Sequence, residues 1–118
     1  MSTDEVIALM RGPSADEELG CIASRRFELD NEGVVEVRLK RPRSDGGDFR
    51  CDYEISGLGR PVTSHACGVD SMQAVCLALL SIATDLYSSP EWKEGRVRWL
   101  GMPDLGFGCP PGNEARGP

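Results

Sequence analysis

Two hydrophobic periods run along this chain, and the switches between them mark its elements. From Cys21 the period is two. Ala23, Arg25, Phe27 and Leu29 alternate with Ser24, Arg26 and Glu28, the pattern of a half-buried strand. Asp30-Asn31-Glu32-Gly33 supplies a tight turn, and Val35, Val37 and Leu39 then line one face of a second strand against Glu36, Arg38 and Lys40 on the other. Two such runs joined by a short turn predict an antiparallel hairpin. A polar loop over residues 41–47 leads into the most regular alternation of the chain, with Phe49, Cys51, Tyr53 and Ile55 inward and Arg50, Asp52 and Glu54 outward. Gly57-Leu58-Gly59 turns the chain into a fourth strand, Val62 to Cys67, whose preceding Pro61 suits a strand start or an edge.

After Gly68-Val69 the period becomes helical. Asp70 is the expected N-cap, its carboxylate accepting from the first turn, and Gln73 completes a capping-box pattern by bonding back to it. Met72, Val75, Cys76, Leu79, Leu80, Ala83, Leu86 and Tyr87 form one wide stripe, widened further by Leu77, Ala78 and Ile82. A helix this apolar is expected to be covered on more than one face. Ser88-Ser89-Pro90 stops it, a turn carrying Trp92 follows, and residues 96–100 read as a fifth short strand. The predicted class is α+β: an antiparallel meander sheet of four to five strands with one long helix packed on one face.

Charge changes the picture mainly at the N-terminus. The 118 residues carry a formal net charge of −6. Residues 1–20 contribute much of it, with Asp4, Glu5, Asp16, Glu17 and Glu18 against Arg11 alone, whereas residues 21–60 balance eight acidic against eight basic groups. The expected organisation is an acidic segment over 1–20, holding a short helix at Val6-Ile7-Ala8-Leu9-Met10 or mobile, one domain over 21–108, and a disordered tail over 109–118. An acidic balance argues against a nucleic-acid partner, which favours a basic face, and towards a basic protein. No apolar stretch reaches the roughly 20 residues of a bilayer span, and the N-terminus has acids where a signal peptide carries cations, so a cytoplasmic location without membrane contact is expected.

The sequence offers little catalytic chemistry. Its five cysteines (Cys21, Cys51, Cys67, Cys76 and Cys109) make no C-x-x-C pair and His65 is the only histidine, so neither a metal site nor a cofactor is predicted. Cys21, Cys51 and Cys76 fall on apolar faces and read as core. His65 and Cys67 share a strand face, yet a Cys–His dyad also requires an orienting group and an oxyanion site. The carboxylates Glu36, Asp52 and Glu54 share an outward sheet face and, with Asp16, Glu17 and Glu18, are the candidate contacts for a basic partner. Trp99 and Phe107 recur in a loop-like stretch and are expected to seal one end of the core or to dock a partner.

Four segments carry a family resemblance: Ile22-Ala23-Ser24-Arg25-Arg26-Phe27, then Asp48-Phe49-Arg50-Cys51 leading to Ile55-Ser56-Gly57-Leu58-Gly59, then Gly68-Val69-Asp70-Ser71-Met72-Gln73-Ala74, and a closing Asp104-Leu105-Gly106-Phe107. Over about residues 21–108 the chain resembles a family of small bacterial domains of unknown function. By analogy with small acidic α+β immunity proteins, the resemblance implies a non-catalytic binding protein that neutralises a basic toxin or effector, as a monomer or homodimer. The alternatives are an acidic chaperone or adaptor for a secreted protein, and a small ligand-binding domain or enzyme using His65 and Cys67.

Overall fold

A computed structural model describes residues 20–30 and 33–108 of the chain. The expected N-terminal helix, the acidic trio at 16–18 and the expected tail lie outside the described residues. The elements are β1 (Cys21–Leu29), β2 (Gly33–Lys40), β3 (Arg43–Asp45), β4 (Asp48–Ser56), β5 (Val62–Gly68), α1 (Ser71–Ser88), α2 (Pro90–Lys93) and β6 (Val97–Arg98). All six strands join one antiparallel sheet with α1 against it. The meander is the expected one. The sixth strand, β3, falls where a loop was expected: Arg43–Asp45 pairs with residues 48–50 across the Gly46-Gly47 turn, and both glycines take positive φ there.

Pairing sets the order across the sheet. β1 pairs with β2 and with β6, while β2 and β3 follow one another along one edge of β4 and β5 takes the other. The inward positions are those the alternation gives: Phe27, Val35, Val37, Leu39, Cys51, Tyr53 and Ile55 are buried. Five strands abreast span roughly 20–25 Å at the usual spacing. One helix is only about 10–12 Å across. A single helix therefore cannot roof this sheet, and α1 sits over β4 and β5.

Two features place α1 there. The first is its entry. Asp70 Oδ1 accepts from Gln73 N at 2.8 Å, confirming the N-cap. Gln73 Oε1 accepts from Val69 N at 2.7 Å, so the back-bond reaches one residue further than the capping-box pattern predicts and ties the helix to the end of β5. A Cβ on Gly68 would lie 2.6 Å from Ala74 N, so only glycine permits this close approach. The second is a buried polar pin: Tyr53, only 2% exposed on β4, donates its hydroxyl to Asp85 Oδ2 of α1 at 2.5 Å.

The C-terminal segment covers the other end of the sheet. Residues 99–107 are irregular but tied down by side chains. Trp92 Nε1 donates to Pro103 O at 2.9 Å, and Leu105 N donates to the Tyr87 hydroxyl at 2.9 Å. Leu105 is fully buried, Phe107 packs 6.2 Å from Phe27, and Tyr87 meets Trp92 edge to face at 4.6 Å. Trp99 and Phe107 are half-buried and pack against the core cluster.

Candidate functional site

The coverage expected for α1 is not found among the described residues. Ala74, Ala78, Ile82, Ala83, Leu86 and Tyr87 are buried, but Met72 is 75% exposed and Leu80 54%, and Cys76, Leu77 and Leu79 are also exposed. Cys76 is thus not core, and Cys21 is only half-buried; of the three expected core thiols, Cys51 alone is sealed in. The reason is geometric. Near its C-terminal end, α1 is met by the 99–107 segment, whereas over its first two and a half turns the stripe Met72, Cys76, Leu79 and Leu80 faces the open part of the sheet.

Cys76, Leu79 and Leu80 of that stripe border a groove of about 430 Å³. Val37, Leu39 and Ala23 floor it, Cys76, Leu79, Leu80 and Ile82 wall one side, and Phe107 lies at its end beside Arg25. Arg25 stands at an inward position of β1. Its guanidinium stacks 4.0 Å from the Trp99 ring centre and 5.4 Å from that of Phe107. Its Nη1 donates to both Leu105 O and Gly106 O at 3.1 Å. Gly106 takes φ +82, and a Cβ there would lie 2.4 Å from the Trp99 ring, so its glycine admits the stack. Arg25 thus clasps the C-terminal segment and sets one charged group at the end of an apolar trough. Such a trough suits the apolar face of a peptide or helix oriented by that charge.

The outer sheet face has a different character. Glu36 pairs with Arg26 at 3.2 Å, Glu54 with Lys40 at 3.3 Å, and Asp52 with Arg50 at 2.9 Å and Arg43 at 3.3 Å. Burial pushes the Asp52 carboxyl up, but the hydrogen bonds from Arg50 and Arg43 outweigh it and hold the group below the ordinary carboxylate value. The three predicted acidic contacts therefore share a face whose charge is balanced internally. Across the described residues twelve acidic side chains meet eleven basic ones. The acidic excess thus lies chiefly in the N-terminal segment with Asp16, Glu17 and Glu18.

His65 and Cys67 also lie exposed on this outer face, opposite Asp52 and Arg50 in the ladder. Asp52 faces two guanidinium groups, so the carboxylate nearest in register is engaged elsewhere. Among the described residues no cluster of three His, Cys, Asp or Glu side chains is placed to hold a metal ion. By length and mean hydropathy alone α1 could cross a membrane, but it is the helix that packs on β4 and β5.

Sequence reasoning passed over the groove residues because periodicity assigns them all to core. The usable signal was quantitative: an apolar arc on α1 wider than one sheet contact can cover, together with an arginine at an inward strand position.

No characterised protein and no solved structure matches the chain. A family model described as a domain of unknown function, DUF6968, matches residues 23–111, which hold all of the sheet but the first two residues of β1, together with α1 and every described residue that lines the groove. The chain belongs to that family.

Proposed function

We propose that this protein is a non-catalytic binding domain that engages a protein partner through the groove between α1 and the β1–β2 floor. The observation that carries the reading is the exposed wall of Cys76, Leu79 and Leu80 along that groove. Contiguous exposed apolar surface next to a concave site marks a docking surface more often than it marks a solvated one. The acidic N-terminal segment favours a basic partner by steering encounter, and the paired outer face adds little to that field. An immunity-type role, in which a bacterial cell neutralises a basic toxin or effector, fits these features.

Affinity capture from the native host tests this, comparing wild type with Leu80→Asp. A basic protein held by wild type and lost with Leu80→Asp is the expected result. Co-expression with that partner should relieve any growth inhibition it causes. Capture of partners that is indifferent to Leu80→Asp, or reduced only by changes at Glu36 and Asp52, would refute the groove as the contact.

A further inference from the structure

We propose that two copies of this chain pair through β5, antiparallel about a two-fold axis at His65, in the register that sets Arg60 of each copy against Asp70 of the other. The pairing does not rest on the function proposed above, since no residue of β5 lines the groove.

The topology leaves β5 open. Its seven residues pair with β4 along one edge, and among the described residues no backbone group bonds to the other edge. The remaining margins of the sheet are of a different kind. β3 and β6 are only three and two residues long. β1 is longer, but the 99–107 segment is tied along it: Glu28 accepts from Leu100 N and Gly101 N, and Arg25 donates to Leu105 O and Gly106 O. Sheets normally blunt a free edge with charged side chains, proline, a bulge or brevity. Val62–Gly68 contains no Lys, Arg, Asp, Glu or Pro, and its register with β4 is unbroken over all seven pairs. An edge so built is a template for another strand.

Charge selects a second copy as that strand and fixes the register. Arg60 and Asp70 flank β5, both are exposed, and neither has a salt-bridge partner among the described residues. Asp70 is still extended at φ −144 and ψ 175, and only its Oδ1 is used in capping Gln73. With His65 on the axis, Thr63 faces Cys67, Pro61 faces Val69, and Arg60 faces Asp70. A two-fold interface makes each such contact twice, so an ion pair closes the ladder at both ends. Val69, 73% exposed in the single chain, gains an apolar neighbour. The axis keeps α1 on one side of the joined sheet, so slips come in steps of two residues. A slip of one step sets Arg60 against Gly68 or Met72, and both ion pairs are lost.

Mild oxidation of a Thr63→Cys variant of the full-length protein tests the pairing and its register together. In the proposed ladder position 63 lies directly opposite the second copy's Cys67, with Cβ atoms about 4.5–5.5 Å apart, close to disulfide reach. Two Cys67 residues would stand about 13 Å apart along the ladder and stay unlinked. The expected result is a covalent dimer whose junction peptide, read by mass spectrometry, joins position 63 to Cys67, and which Cys67→Ser abolishes. Sedimentation of wild type should show a concentration-dependent dimer. Arg60→Glu sets like charges at both ends and should weaken that dimer about tenfold, and adding Asp70→Asn, which keeps a capping side chain, should recover part of the loss. A strict monomer over a wide concentration range, with no link from position 63, would overturn the proposal. So would a dimer that links through Cys76 or is indifferent to Arg60→Glu, since another surface would then be the interface.

Discussion

Tyr53→Phe is the sharpest test of how the fold holds α1 over one half of the sheet. The substitution keeps the ring that fills the space between β4 and α1 and deletes only the hydroxyl that donates to Asp85. A hydrogen bond to a charged group contributes roughly 1.5–3 kcal/mol, and Asp85 is half-buried, so water can partly replace the lost donor. A loss of about 1.5 kcal/mol follows, or roughly 6 °C in Tm for a domain of this size. The pH dependence adds a signature. Burial first, and the hydrogen bond to Asp85 second, push the Tyr53 hydroxyl up to about 12 from an ordinary value near 10. A folded-state pKa above the unfolded one stabilises the protein fully below about pH 10, and that stabilisation is lost as pH rises towards 12. Urea unfolding at neutral pH and between pH 9.5 and 11.5 measures both effects. Wild type should lose stability more steeply than Tyr53→Phe over the alkaline range. A Tyr53→Phe variant within about 0.3 kcal/mol of wild type, with the same alkaline slope, would show that the pin does not hold the helix.

Other substitutions test neighbouring parts of the account. Asp70→Ala removes the cap on Gln73 N and should cost about 1 kcal/mol in chemical denaturation. Gly68→Ala drives a methyl group into the backbone at Ala74 N and should cost about 3 kcal/mol, more than any surface change, by the same measurement. Arg25→Ala removes both bonds to the Leu105 and Gly106 carbonyls and unstacks Trp99. Its tryptophan emission should shift to the red and proteolysis after residue 99 should accelerate, with little change in far-UV circular dichroism.

Much of the fold was legible because each strand carries its own two-residue period. Phe49 to Ile55 is an example: alternation points Cys51, Tyr53 and Ile55 inward and they are buried, while Phe49 at the strand start is only half-buried. The helix entry was legible too, since Asp70 at an N-cap is a local matter. The exceptions are non-local. Arg43–Asp45 carries no period because all three residues are exposed, so only its partner strand makes it β. The partner of the Gln73 side chain depends on how the chain leaves β5. The exposure of Met72, Cys76 and Leu80 depends on the ratio of sheet width to helix width, which no window of sequence contains. The acidic candidates Glu36, Asp52 and Glu54 were correctly placed on one outward face, but their arginine and lysine partners come from neighbouring strands, and only register shows that this face is balanced. Trp99 and Phe107 illustrate the same limit, since the stack on Arg25 joins residues more than seventy positions apart.

The claim that matters most is that binding occurs at the groove and not on the paired outer face. Calorimetric titration of the captured partner into wild type, Leu80→Asp and a Glu36→Gln, His65→Ala double variant separates the two surfaces directly. A partner seated in the groove predicts that Leu80→Asp weakens affinity by about thirtyfold or more, the scale of a central contact, while the outer-face variant binds as wild type does. Undiminished binding by Leu80→Asp together with a comparable loss in the outer-face variant would contradict the account.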